Sequence, residues 1–534
     1  MECVYAALVI LFSGAVLSFF TKEKQKHLLF SILTLTALGT ALHPAFLSIF
    51  TGNDSQLTLN HYLLTQKFIM IMDPFAAFLI VIIGLACLIY LLYSILTKNY
   101  KTDKWIPEFI LSLLSSLIFV LCFHNGIYLC IGWFILNAIM LLYIKTYEQN
   151  SKMGLIKSLT LYLSSALFAL TVILVGVFAN GLNFPDFVKL LVNNNNYSNI
   201  SFLLIFASCG LPILLFTNLI SSSKRSEQSQ FKEHLIIETI FYSICYYLLF
   251  RFIGMGAVPS FVPHCIILAF IAFVMLIKAY QLFKTTAIIK ILSYFKSIQI
   301  CLSVFFLMIG VLGYKYQVTM LMILGYSSSL MFLTNTILTK FATCFNIDKY
   351  LEVKDETVCK AELIAEKNFI KILPIGLLSF VGLPTTIGFW GWFFGFGALF
   401  YGITAGNTEL RIISICAAVF ISVILLSQIY KIFLVLRKQF VSNINTVKNS
   451  LPYFNLLWSL LIVIMGLFPK LSVNFIFVPA SFFTGGTRFY EMYKSIIVTS
   501  YNISLYILIF TILLVGYIGI KTLILKYINS RTKV

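Results

Sequence analysis

The sequence predicts an all-α polytopic membrane protein of about fifteen transmembrane helices, including two inverted five-helix repeats that each hold a broken helix. Three observations carry that expectation. Of the 534 residues, 60% are hydrophobic and 11% charged, whereas a soluble domain carries about 25% charged residues and no more than half apolar. The apolar residues fall in runs of roughly 18 to 28, long enough to cross a hydrocarbon core as helices. Two of these runs are interrupted by the same triplet, Gly210-Leu211-Pro212 and Gly382-Leu383-Pro384. The composition excludes soluble enzymes, disulfide-stapled secreted scaffolds and disordered chains.

The runs lie near 2–20, 28–50, 68–97, 107–123, 126–144, 155–179, 200–220, 235–253, 261–280, 290–312, 317–339, 372–402, 410–436, 452–468 and 495–520. The first begins at Glu2, and its positive flank (Lys22, Lys24, Lys26) follows it, so it reads as a retained helix and not as a cleavable signal peptide. The third is opened by Asp73-Pro74, a capping residue followed by a first-turn proline.

The net charge of +19 reports orientation and no polyanionic partner; no nucleic acid is expected. With the N-terminus outside, alternate loops hold 29 Lys and Arg against eight in the opposite set, with Lys296 left over inside a helix. That bias puts the N-terminus outside and the C-terminus, with Lys521, Lys526, Arg531 and Lys533, in the cytoplasm. The expected setting is a bacterial inner membrane. Two polar loops of mixed sign, 221–233 and 340–371, fall inside, and the Asn-rich stretch 193–196 reads as a solvated outside linker.

The eleven Cys are scattered singly and read as small packing residues, with no metal or disulfide pattern. No phosphate-cradling loop and no nucleophile paired with a base appears, so no catalytic residue and no cofactor is expected. Any enzyme label would be inherited from partner subunits.

The two broken helices are the sharpest signal. Proline removes a backbone donor and clashes with the preceding turn, which hydrocarbon tolerates only where the freed carbonyl meets protein or a wet cavity. The two triplets lie five spans apart, so their hosts cross in opposite directions, the pattern of an inverted-repeat transporter. Two ordinary kinks are the plainer alternative. The repeat reading divides the chain into N-terminal helices (1–106), a first repeat (107–256), a second repeat (257–438) and C-terminal helices (439–534).

At these residues the chain resembles the antiporter-like membrane subunits of proton-translocating NADH-quinone oxidoreductase (respiratory complex I), shared with multisubunit cation/proton antiporters and membrane hydrogenases. The best match is 371–402, KILPIGLLSFVGLPTTIGFWGWFFGFGALFYG; a second is 287–301, AIIKILSYFKSIQIC; a third is Asp73-Pro74-Phe75. Gly132-Trp133 and Leu249-Phe250-Arg251-Phe252 are weaker echoes, and the set spans roughly 70–440 in family order. The resemblance implies a proton-translocating membrane subunit whose partners are other membrane subunits and the lipid bilayer.

The departures fall on the proton path that the resemblance implies. Phe134 stands where the family has a glutamate after the tryptophan, and Ser208 where it has a lysine before the first break. Further expected lysines fall at about Ser243, within Ser327-Ser328-Ser329, and at about Trp392. The chain therefore reads as a divergent member whose usual channel is degenerate.

Intramembrane ionisable groups are costly and so are functional candidates. The candidate proton path is Glu238, His234, Lys296 and Lys278. Glu238 follows His234 by one helical turn, so the two share a face, and Lys296 lies about 9 Å into its span at 1.5 Å per residue. The alternative is that the long side chains snorkel to the headgroups. An independent secondary transporter or flippase, and a structural subunit without transport, remain the competing functions.

Overall fold

A computed structural model describes residues 1–21, 23–51, 54–63, 66–97, 105–147, 152–216, 231–285, 288–354, 374–441, 452–468 and a few positions between 502 and 509. The chain opens with α1 (Glu2–Phe20) and α2 (Glu23–Thr51), then the hairpin β1 (Ser55–Leu63) and β2 (Gln66–Met72). There follow α3 (Pro74–Thr97), α4 (Ile106–Cys122), α5 (Gly126–Tyr147), α6 (Lys152–Ala179), α7 (Phe184–Asn193) and α8 (Asn195–Ile205). A π-helical turn, Phe206–Gly210, joins α8 to α9 (Leu211–Phe216). The remainder is α10 (Phe231–Gly254), α11 (Phe261–Lys284), α12 (Ile288–Lys315), α13 (Thr319–Lys354), α14 (Pro374–Val381), α15 (Ile387–Thr404), α16 (Thr408–Val441) and α17 (Pro452–Leu467).

Among the described residues ten helices are long and apolar enough to cross a membrane, and the shorter apolar stretches Glu2–Ser18, Pro74–Leu88 and Ile106–Cys122 accompany them. The protein is an integral, multi-pass, helical membrane protein, as its composition implies. Loop residues 221–230 and 355–371, most of the run at 495–520 and the basic tail lie outside the described residues.

The spans sort by polarity in the sense opposite to a soluble protein. The apolar 18-residue stretches within Ile236–Gly254, Lys290–Lys315 and Thr319–Lys340 are wholly buried, while only 33% of those within Phe261–Lys284 and Thr408–Val435 is. The buried spans carry the polar side chains, among them Gln299, Ser303, Ser328, Ser329 and Asn335. The peripheral α16 shows Val419, Leu426 and Phe433 outward along one face. Lipid is as apolar as leucine, so packing and interhelical hydrogen bonds, and not aversion to water, decide what is central. α12 and α13 pack closely along each other: a Cβ on Gly325 would run into the backbone of Gly310.

Three local features differ from the sequence expectation. The run read as a span from 68 begins in a strand: Gln66–Met72 pairs antiparallel with Ser55–Leu63, and the helix starts only at Pro74. Periodicity alone cannot tell a short apolar strand with Ile69 and Ile71 from a helix start. The stretch 193–196 is a corner between helices and not a linker: the Asn194 side chain accepts from the amides of Asn196 (3.1 Å) and Tyr197 (3.4 Å) and caps α8. Before it, α7 is amphipathic, burying Phe184, Phe187 and Leu191 and exposing Val188 and Val192. Finally, α13 runs on to Lys354, so Lys340 belongs to a helix and not to a loop.

Candidate functional site

The two Gly-Leu-Pro triplets interrupt their helices in different ways. At the first, Gly210 ends the π turn, in which the Leu211 amide donates to the Phe206 carbonyl, and Pro212 sits in the first turn of α9. Pro212 has no N–H for the carbonyl four residues back, that of Ser208. The hydroxyl of Ser164, from α6, supplies the missing donor at 2.6 Å.

At the second triplet the helix stops. Gly382 lies at φ +77°, in the left-handed region that favours glycine. Its amide donates to Ser379 at 3.2 Å and that of Leu383 to Leu378 at 3.0 Å, the paired bonds of a Schellman termination. Pro384 follows where the helix is already over, and α15 starts afresh at Ile387. The Phe380 carbonyl, four residues before Pro384, accepts from Gln299 Nε2 at 2.8 Å and from Trp392 Nε1 at 3.2 Å. Asn335 adds a bond to the Ser379 carbonyl at 3.3 Å and accepts from the Ser379 hydroxyl at 2.6 Å. Neutral side chains of α12, α13 and α15 thus close the second break.

The buried charge gathers at the end of the bundle opposite the hairpin. Glu238, on α10, is 3% exposed, and its Oε2 lies 3.4 Å from Nζ of Lys340 on α13. Lys296 of α12 and Lys157 of α6, both buried, act electrostatically on the same carboxylate. The Lys340 ammonium also stands 4.6 Å from the centre of the Tyr242 ring, one turn along α10. Lys278 is buried elsewhere, on α11 against α12, with Cys301 as its electrostatic neighbour. His234 lies in α10 one turn before Glu238, and its side chain is outside the described residues.

Lys340 and Lys157 were not legible as site residues. Each ends an apolar run, which in a sequence reads as a topological flank; only the continuation of α13 and the packing of α6 and α10 bring both toward Glu238.

From this cluster a seam of hydroxyls continues along α10. A cavity of about 10 Å³, room for about one water, is lined by Tyr242, Ser243, Tyr246, Ser303, Thr336 and Lys340. Beyond it the Tyr246 hydroxyl pairs with Ser329, whose hydroxyl donates to the Ser303 carbonyl. Of the positions where lysine was expected, Ser243 bonds back to Thr239 at 2.8 Å, Ser328 donates to the Gly391 carbonyl at 2.7 Å, and Trp392 holds the second break. Phe134 is 47% exposed, on the outside of the bundle, so it does not occupy an interior place left by a glutamate. The interior polar residue of α5 is Asn137, which donates to Ser165 at 2.9 Å.

A second ionic cluster lies at the hairpin end. Asp73 caps α3 by accepting from the Ala76 amide at 2.7 Å, and its other oxygen lies 2.5 Å from Arg251 Nη1. His124, in the turn between α4 and α5, sits 3.1 Å from Arg251 Nη2 and 3.5 Å from Asp73 Oδ2. Burial would raise the Asp73 carboxyl, but the adjacent guanidinium and the His124 contact outweigh it and hold it at about 2. Burial, and then Arg251, push His124 down to about 4, so the imidazole is neutral at pH 7.

No known protein family matches the sequence, and no curated protein matches it. Solved structures do. A chain of the membrane-bound sulfane sulfur reductase, an archaeal respiratory membrane complex, aligns with TM-score 0.67 at 14% identity over 90% of this chain and 96% of that chain. One from the Mrp complex of Dietzia sp. aligns with TM-score 0.65 at 12% identity, over 92% and 98%. One from respiratory complex I of Thermus thermophilus aligns with TM-score 0.63 at 14% identity, over 90% and 99%. The likeness is one of fold, over nearly the whole of each chain, and that fold is shared by chains of three membrane complexes.

Proposed function

We propose that the chain is a membrane subunit of an ion-translocating respiratory or antiporter complex, and that Glu238 with Lys340 is its proton-holding pair. The observation that carries this reading is the ion pair itself: a carboxylate and an ammonium, each 3% exposed, buried between helices at the end of the bundle opposite the hairpin. Charges buried at such cost inside a membrane protein mark ion or proton pathways by default. A carboxylate facing three lysines binds or loses a proton as its neighbours change charge, and the water-sized cavity beside Tyr242 offers the next step toward Tyr246 and Ser329. The inverted-repeat division into 107–256 and 257–438 fits the two interrupted helices. Likeness over nearly the full length of three chains from multi-subunit membrane complexes favours a subunit over an independent transporter or flippase.

The test is proton flux into proteoliposomes containing the purified native assembly. Glu238→Gln and Lys340→Met should each slow flux about tenfold or more, as expected for loss of a proton-transfer group. Wild-type flux carried by this subunit and indifferent to both substitutions would overturn the assignment. A second reading, a structural subunit with no transport, is favoured by one observation: Gln299 and Trp392 both satisfy the Phe380 carbonyl and leave the second break sealed with neutral groups. On that reading the assembly keeps full coupled flux whatever is done to Glu238.

A further inference from the structure

The seam along α10 points toward a second titratable group that the proposed proton-holding pair does not use. Arg251 lies thirteen residues beyond Glu238 on α10, about 20 Å at 1.5 Å per residue, and carries the Asp73–His124 cluster. Between the two ends α10 places Tyr242, Tyr246 and Tyr247, all buried. Tyr247 interacts electrostatically with Arg251 and Asp73 and donates to the Leu121 carbonyl at 3.0 Å.

The cluster borders a cavity of about 500 Å³, the size of a small-molecule site and far larger than the void at the other end. Its wall includes His124, Asn125, Asn183 and Arg251, and its rim includes the exposed Gln56 and Val188. A side-chain bond from Asn125 to Asn183 at 3.0 Å and the backbone bridge between them tie the α4–α5 turn to the start of α7. The ring of Phe184 stacks on His124 at 4.9 Å and underlies the Arg251 guanidinium at 5.0 Å. His124 is therefore held at one fixed place, between a buried ion pair and an open cavity.

Resting on the translocation reading above, we propose that this cavity is the port by which the α10 path meets the aqueous phase on the hairpin face, with His124 exchanging protons there. One ring nitrogen takes a proton from the path and returns it to water, and the imidazole is neutral before and after. While charged it faces the Asp73 carboxylate, which offsets the Arg251 charge. Phe75, stacked on Tyr247 at 5.5 Å and tilted against Phe250 at 4.9 Å, is the apolar plug between seam and port. The charged and titratable groups around His124 are Asp73 before α3, Arg251 on α10 and, through these two, Asp54 at the foot of β1.

The experiment uses proteoliposomes of the native assembly in which Val188, on the exposed rim of the cavity, is changed to Cys. An impermeant cationic thiol reagent on the hairpin side should slow the flux of Val188→Cys several-fold relative to the same variant untreated, while leaving treated wild type unchanged. His124→Gln should slow flux about tenfold and remove its dependence on pH on that side around pH 4. Flux that still falls with Glu238→Gln but ignores both the Val188 label and His124→Gln overturns the port and leaves the translocation reading standing. Flux indifferent to Glu238→Gln as well overturns both.

Discussion

Ser164 donates its hydroxyl to the main-chain oxygen of Ser208 at 2.6 Å, and that oxygen is the one that Pro212 leaves without its helical donor. The bond binds α6 to the π turn and makes an interrupted helix tolerable inside a bilayer. Ser164→Ala should destabilise the protein by about 1–2 kcal/mol, the cost of an unsatisfied buried carbonyl, while Ser164→Thr should hold. In a Pro212→Ala background, where the residue at 212 regains its N–H, the cost of Ser164→Ala should shrink. Thermal unfolding of the four variants in detergent forms the double-mutant cycle that checks this.

The ion pair on α10 and α13 makes a separate stability prediction. Removing one partner leaves a buried charge, at a cost of about 3–5 kcal/mol, whereas replacing both is nearly neutral. Lys340→Met should therefore lower the unfolding midpoint strongly, and adding Glu238→Gln should recover most of the loss. A double variant destabilised by the sum of the two single losses would mean that the two groups are not coupled.

Because Phe380 accepts from two donors, its satisfaction is redundant. Gln299→Leu or Trp392→Phe alone should each cost under about 1 kcal/mol in hydrogen bonding, and the pair more than the sum, since the second loss strands the carbonyl. Chemical unfolding of the three variants reads the excess directly.

The hairpin-end cluster should make the protein acid-sensitive. His124 has its proton affinity depressed in the folded state, from 6.5 to about 4, so the unfolded chain binds the proton first as pH falls. Stability is then lost between about pH 6.5 and 4, by about 3 kcal/mol at 1.36 kcal/mol per unit. Asp73, held at about 2 by Arg251, keeps its contribution until far lower pH. Unfolding midpoints from pH 7 to 4.5 should fall in wild type and flatten in His124→Gln; parallel curves would assign the acid loss to other groups.

Orientation is open to direct labelling. Asn196 and Lys290 are both exposed, and the lysine distribution assigns them to opposite faces. Asn196→Cys should react with an impermeant thiol reagent in intact cells and Lys290→Cys should not; the reverse result would invert the topology.

Most of the helical frame was readable, because a bilayer demands long apolar helices and most of them write themselves as long apolar runs. The capping role of Asp73 was readable for the same local reason, a carboxylate preceding Pro74. The hairpin was not: Gln66–Met72 is a short apolar stretch whose partner, Ser55–Leu63, is chosen by pairing and not by pattern. The site was legible in half. Glu238 and Lys296 stood out as charges inside apolar runs, whereas Lys340 and Lys157 sat at run ends and His124 in a turn.

By itself the sequence determined that this chain lives in a membrane, which runs form most of its helices, and where two of them are interrupted, because hydrophobic length and proline chemistry act locally. What only the tertiary structure decided is who meets whom. Glu238 and Lys340 are 102 residues apart, Asp73 and Arg251 are 178 apart, and the donors that repair Ser208 and Phe380 come from other helices. Inside lipid the polar residues mark the faces that turn inward, but composition does not say which neighbour each face meets. Close packing at Gly310 and Gly325 and the demand that each freed carbonyl find a donor make that choice, and both are properties of the assembled bundle.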